Sequence, residues 1–73
     1  MGASFWTLKS DQGWAVKKEG ATRVSSVHSS QSDAWAETRR LARGADGEAY
    51  LKGKDGRIRA RNTYGKDPFP PKG

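Results

Sequence analysis

Between Glu48 and Asn62 every second residue of two short runs is aromatic or basic: Tyr50 and Lys52 in the first, Arg57, Arg59 and Arg61 in the second. Lys54 stands between them. Successive side chains of a strand point to opposite faces. The spacing therefore predicts a hairpin whose outer face carries Tyr50, Lys52, Arg57, Arg59 and Arg61, with Lys54 at the turn. Lys and Arg in such a row can contact phosphates, which gives nucleic-acid affinity without sequence choice. A tyrosine among them can stack on an unpaired base. The same residues also suit a solvated sheet, where cations discourage edge-to-edge aggregation and a tyrosine packs along their alkyl stems. Arg39, Arg40 and Arg43 form a second basic group and are possible further contacts. Near the C-terminal end of a helix they are also favoured by the helix dipole, by roughly 0.3–1 kcal/mol each.

Residues for catalysis are scarce. Asp11, Glu19, Asp46 and Asp55 fall in predicted turns, where acids serve the local backbone. His28 is the single histidine and lies among serines. A Ser-His pair can form there, but no Gly-x-Ser-x-Gly elbow or orienting acid accompanies it, so a local hydrogen bond or a solvated ring is expected. Gly44-Ala45-Asp46-Gly47 lacks the lysine and the spacing of a phosphate-binding loop. Without cysteine there is no disulfide or thiolate metal site, and one histidine argues against a zinc enzyme. The expectation is a non-catalytic protein with no metal, cofactor or small-molecule substrate.

The elements that must position these residues follow from period and punctuation. Ser4–Lys9 is rich in aromatic and β-forming residues, Trp14–Lys18 alternates, and Arg23–Val27 is a weaker third strand. Turn clusters at Ser10–Gly13 and Glu19-Gly20 separate them. Ser30 is a candidate N-cap, with Asp33 three residues on as the partner in a capping box. Ala34, Trp35, Thr38, Leu41 and Ala42 then share one helical stripe, and Gly44 or Gly47 ends the helix. Glu48–Gly53 and Arg57–Asn62 pair across Lys54-Asp55-Gly56. Ala49, Leu51, Ile58 and Ala60 should face the helix, with Leu41 opposite Ile58. Trp6 and Trp14 are core candidates on facing strands, and Trp35 sits at the margin of the stripe. The fold class is α+β: an antiparallel sheet of about five strands, in the order βββαββ, with one helix packed on one face.

Seventy-three residues allow one small domain. We assign it to residues 1–63, with 64–73 as a Pro- and Gly-rich tail, extended or folded back through Tyr64 and Phe69. Nine of the hydrophobic residues are alanine, so the interior is thin. A homodimer would add buried area and cover sheet edges. The net charge of +6 lies wholly in the second half, where ten Lys and Arg face Asp46, Glu48, Asp55 and Asp67. Such asymmetry points to a polyanionic partner. No apolar run is long enough to span a membrane and no secretory-signal pattern opens the chain, so a cytoplasmic location is expected. The favoured function is nucleic-acid binding. The rival is a protein-interaction or assembly module, phage- or plasmid-borne, acting as a homodimer or through Pro68-Phe69-Pro70-Pro71.

Several phrases are shared with a known family. Gly13-Trp14-Ala15-Val16-Lys17, Ser26-Val27-His28-Ser29, Asp55-Gly56-Arg57-Ile58-Arg59 and the run from Tyr64 to Pro71 resemble a family of small bacterial proteins known only as domain of unknown function 2188. The resemblance covers nearly the whole chain. It implies a bacterial, phage or plasmid source and an α+β domain, and it supplies no activity or functional residues. The three-strand-plus-helix part also resembles, more loosely, a bacterial module that occurs as a tandem pair, which implies that a single copy pairs with itself.

Overall fold

The computed structural model describes residues 2–65. Strand β1 (Ser4–Ser10) turns back at Asp11-Gln12 into β2 (Gly13–Lys18), and β3 (Ser26–His28) follows. Gly13 opens β2 at φ 127°, and a Cβ there would strike the His28 carbonyl of β3, so both backbone and space require glycine. Helix α1 (Gln31–Gly44) then leads to the hairpin of β4 (Glu48–Lys52) and β5 (Ile58–Thr63). The element order is the expected βββαββ.

The sheet is mixed, in the order β3-β2-β1-β4-β5, rather than antiparallel throughout. β1 and β4 run parallel, with Ser4 beside Glu48 and Thr7 beside Leu51, and the other neighbours are antiparallel. The cause is the path of the helix. β2 already occupies one edge of β1, and α1 carries the chain back across the sheet to the other edge. β4 enters there at the level where β1 begins. Gly47 permits this approach, since a Cβ would strike the Ala3 carbonyl, and the Glu48 N–H donates to that carbonyl at 3.2 Å.

α1 takes Ser30 as its N-cap, and of the expected capping box the half given by the Asp33 N–H is formed. The Ser30 hydroxyl accepts the Asp33 N–H at 3.2 Å, satisfying one of the helix's unpaired donors. At the other end the Asp46 N–H donates to Arg43 O and the Gly47 N–H to Ala42 O. This is a Schellman closure, with Asp46 rather than glycine in the left-handed conformation, φ 54°. Ala34, Thr38 and Ala42 are buried on the sheet, flanked by Trp35 and Leu41. Two apolar clusters result: Phe5, Ala42 and Ala49 at one end, Trp14, Val16 and Ala34 at the other, with Leu41 packed against both.

Two further expectations are corrected. Trp6 is not a core residue. Phe5 and Thr7 are the β1 residues buried under the helix, so Trp6, one step out of phase, lies on the opposite face. Ile58 is 55% exposed and does not meet Leu41, because the register shifts at Leu51/Lys52 and brings Ile58 rather than Arg59 opposite Lys52. Of the two arrangements expected for the tail, Tyr64 takes the folded-back one: it packs against the Phe5 cluster and donates its N–H to Gly47 O at 2.8 Å. The expected Pro-rich conformation, with Phe69 and the prolines, concerns residues outside those described.

Candidate nucleic-acid interface

α1 covers one face of the sheet through contacts with β1, β2, β3 and β4. Among the described residues no element covers the other face, and the register states what it carries, because side chains directly opposite across a ladder share a face. One row runs Lys17, Trp6, Tyr50, Arg61 across four strands. Beside it lies Val27, Ala15, Leu8, and Lys52, two residues beyond Tyr50, belongs to the same side.

The row is organised around an aromatic pair. The Trp6 and Tyr50 rings stack with centroids 4.2 Å apart and planes 15° from parallel. The Trp6 indole N–H donates to Glu19 Oε1 at 3.3 Å, and the Tyr50 hydroxyl donates to Glu48 Oε1. That bond to Glu48, helped by desolvation, holds the Tyr50 phenol above its usual range. Lys52 Nζ lies 5.1 Å from the Trp6 ring centroid, within cation–π distance. A depression of about 220 Å³ opens beside Trp6, lined by Leu8, Lys17, Glu19 and Lys52 among others.

Tyr50, Lys52 and Arg61 are therefore brought together. Lys54, Arg57 and Arg59 are placed elsewhere. Arg57 precedes β5, and the register shift interrupts the alternation at Arg59. With Trp14, Gln31 and Ile58 these three line a second depression of about 530 Å³ at the hairpin turn, toward the start of the helix. Arg57 also lies 3.9 Å from the Asp55 carboxylate, both groups well exposed, a contact worth little in water.

The helix arginines occupy the other layer. Arg40 makes two hydrogen bonds to Glu37, at 2.8 and 2.6 Å, which hold the Glu37 carboxyl below its ordinary range. Arg39 lies over the Trp35 ring at 5.4 Å, and Arg43 is exposed in the last turn. A ligand lying on the open sheet face does not reach them.

Sequence reasoning missed Trp6 and Lys17 as members of the open face. Alternation along Ser4–Ser10 puts Phe5 and Trp6 on opposite faces but does not say which of the two meets the helix. His28 sits on the helix side of edge strand β3, where its Nε2 is 2.8 Å from the Ser26 hydroxyl. Among the described residues no group of three His, Asp or Glu could hold a metal, and no helix is long and apolar enough to cross a membrane.

A family model described as an uncharacterised protein conserved in bacteria, DUF2188, matches residues 5–64. No curated protein and no solved structure matches the chain.

Proposed function

We propose that the chain, which belongs to the bacterial DUF2188 family, is a non-catalytic nucleic-acid-binding protein that uses the open face of its sheet. One observation carries the reading: the stacked Trp6–Tyr50 pair stands in a row between Lys17 and Arg61, with Lys52 alongside. Cations supply phosphate contacts and salt-dependent affinity. Exposed aromatics on a sheet supply stacking surfaces for bases, an arrangement widely used by sheet-based modules that bind single strands. The net charge of +6 favours encounter with a polyanion. Lys54, Arg57 and Arg59 extend the basic surface around the hairpin turn.

Binding of labelled single- and double-stranded oligonucleotides at about 50 and 200 mM salt tests this reading. Affinity should fall steeply between the two conditions. Lys52→Ala with Arg61→Ala should flatten the salt dependence by about one counterion per lost contact, while Arg40→Ala with Arg43→Ala should leave it unchanged. No binding at low salt, or equal loss from the helix pair, overturns it.

A second reading is self-association. Val24 and Val27 at the β3 edge and Ile58 on the β5 edge are 47%, 42% and 55% exposed, and a twofold dimer would cover such edges. Sedimentation equilibrium from micromolar to near-millimolar concentration tests it. A mass that stays at 8.0 kDa throughout rejects the dimer. A Pro-rich tail acting as the docking element concerns residues outside those described.

A further inference from the structure

The depression beside Trp6 combines three kinds of group: an indole, ammonium groups and a carboxylate. Tyr50 stacks on Trp6 at 4.2 Å but does not line the depression. It backs the indole and leaves another part of the ring to the hollow. Leu8 is an apolar residue of its lining, and Lys17 and Lys52 also line it. Glu19 Oε1 accepts the Trp6 indole N–H, which orients the indole, and a carboxylate retains capacity for further donors.

From this juxtaposition, and resting on the nucleic-acid reading above, we infer that the depression seats one unpaired nucleobase of a single strand. The base stacks on Trp6 in place of the Lys52 ammonium that lies 5.1 Å from the ring centroid, Lys17 and the displaced Lys52 take the flanking phosphates, and Glu19 accepts a hydrogen bond from the exocyclic amino group of the base. Each part has a chemical reason. A duplex keeps its bases paired inside its own stack, so it can meet the lysines but cannot fill the hollow beside a half-buried indole. A carboxylate in the hollow repels phosphate, so the group entering there is the base and not the backbone. A carboxylate also accepts from N–H and offers nothing to a carbonyl, so it favours cytosine, whose N4 amino group is a donor, over thymine, which presents O4 at that position. Charge selects the class of partner, since three lysines, Lys17, Lys18 and Lys52, line the hollow, and Arg61 stands farther along the row, beyond Tyr50.

The test follows the three tryptophan indole N–H resonances of the nitrogen-15-labelled protein, with that of Trp6 identified in Trp6→Phe. Oligo-dC, oligo-dT, an abasic strand and a duplex are added at equal phosphate concentration. The Trp6 resonance should move with oligo-dC and stay in place with the duplex and the abasic strand. Trp6→Leu should weaken oligo-dC binding by about tenfold or more and leave duplex binding within about twofold, the range expected when phosphate contacts alone remain. Glu19→Ala should bring the preference for oligo-dC over oligo-dT close to one. If wild type binds all four probes alike with the Trp6 resonance unmoved, the base site is overturned while phosphate binding by the open face stands. If none of the four binds at low salt, both are overturned.

Discussion

The hydroxyls of Thr7 and Thr38 meet 2.6 Å apart across the helix–sheet interface, and neither residue has any exposed surface. Thr38 also donates to Ala34 O at 2.8 Å. It has one proton to give, so Thr7 is the donor to Thr38, and a short relay runs from the strand through the helix hydroxyl to the helix backbone. Thr7 lies on the sheet's covered face between Val16 and Leu51, so this polar contact sits in the middle of the core.

Thr38→Val should cost about 1–3 kcal/mol, because it leaves the Thr7 hydroxyl buried without its acceptor. Thr7→Val with Thr38→Val should be nearly neutral, since both polar groups are then gone and the shape is kept. Urea unfolding of the two single variants and the double variant measures this cycle. A double variant as unstable as the sum of the singles would show that the relay is not a coupled unit.

Leu41→Ala should cost on the order of 2–5 kcal/mol, because Leu41 joins both apolar clusters. Ile58→Thr should change stability by less than about 0.5 kcal/mol, as expected of a surface position. A large loss at Ile58 with little at Leu41 would mean that the helix packs over the β4–β5 hairpin instead of across β1 and β2.

The difference between these two residues shows what was legible in the chain. The helix stripe from Ala34 to Ala42, its Ser30 cap and the hairpin across Asp55-Gly56 follow from local chemistry, and the structure has them. The phase of β1 was not readable in the same way. Phe5 and Thr7 compete with Trp6 and Leu8 for the interior, and size alone favours the second pair. Burying Thr7 is tolerated because its hydroxyl finds an acceptor in Thr38, a contact between residues 31 positions apart that no local pattern reveals. The parallel β1–β4 pairing depends on where the helix delivers the chain, a tertiary matter. The register shift beside Lys52 has no local marker either, and it separates Arg57 and Arg59 from the row that holds Tyr50 and Arg61.

Asp46→Gly should raise stability by about 0.5–1 kcal/mol. Asp46 holds the left-handed position of the Schellman closure, where glycine lacks the Cβ penalty, and its carboxylate also stands at the unfavourable end of the helix dipole. Thermal unfolding reads the change. A lower midpoint would show that the aspartate side chain contributes to the closure.

The pair of Arg40 with Glu37 should be visible as a titration rather than as stability. Arg40→Ala should raise the Glu37 titration midpoint toward the ordinary glutamate range, since the hydrogen bond from Arg40 is the main cause of its depression. A depressed carboxyl stabilises the fold above the unfolded-state value and loses that contribution as pH falls through the folded one. On this solvent-exposed pair the contribution is screened and small. Carbon-detected titration of the Glu37 side chain checks the direction, and an unchanged midpoint in Arg40→Ala contradicts the assignment.

On the proposed reading the open face of the sheet, and not the helix layer, meets nucleic acid. Backbone amide shifts of the labelled protein, followed during titration with a mixed-sequence single strand at low salt, test it most directly. Perturbations should concentrate at Trp6, Lys17, Tyr50, Lys52 and Arg61 and be reversed by added salt. Shifts centred on Arg39, Arg40 and Arg43, or none at all, would contradict it.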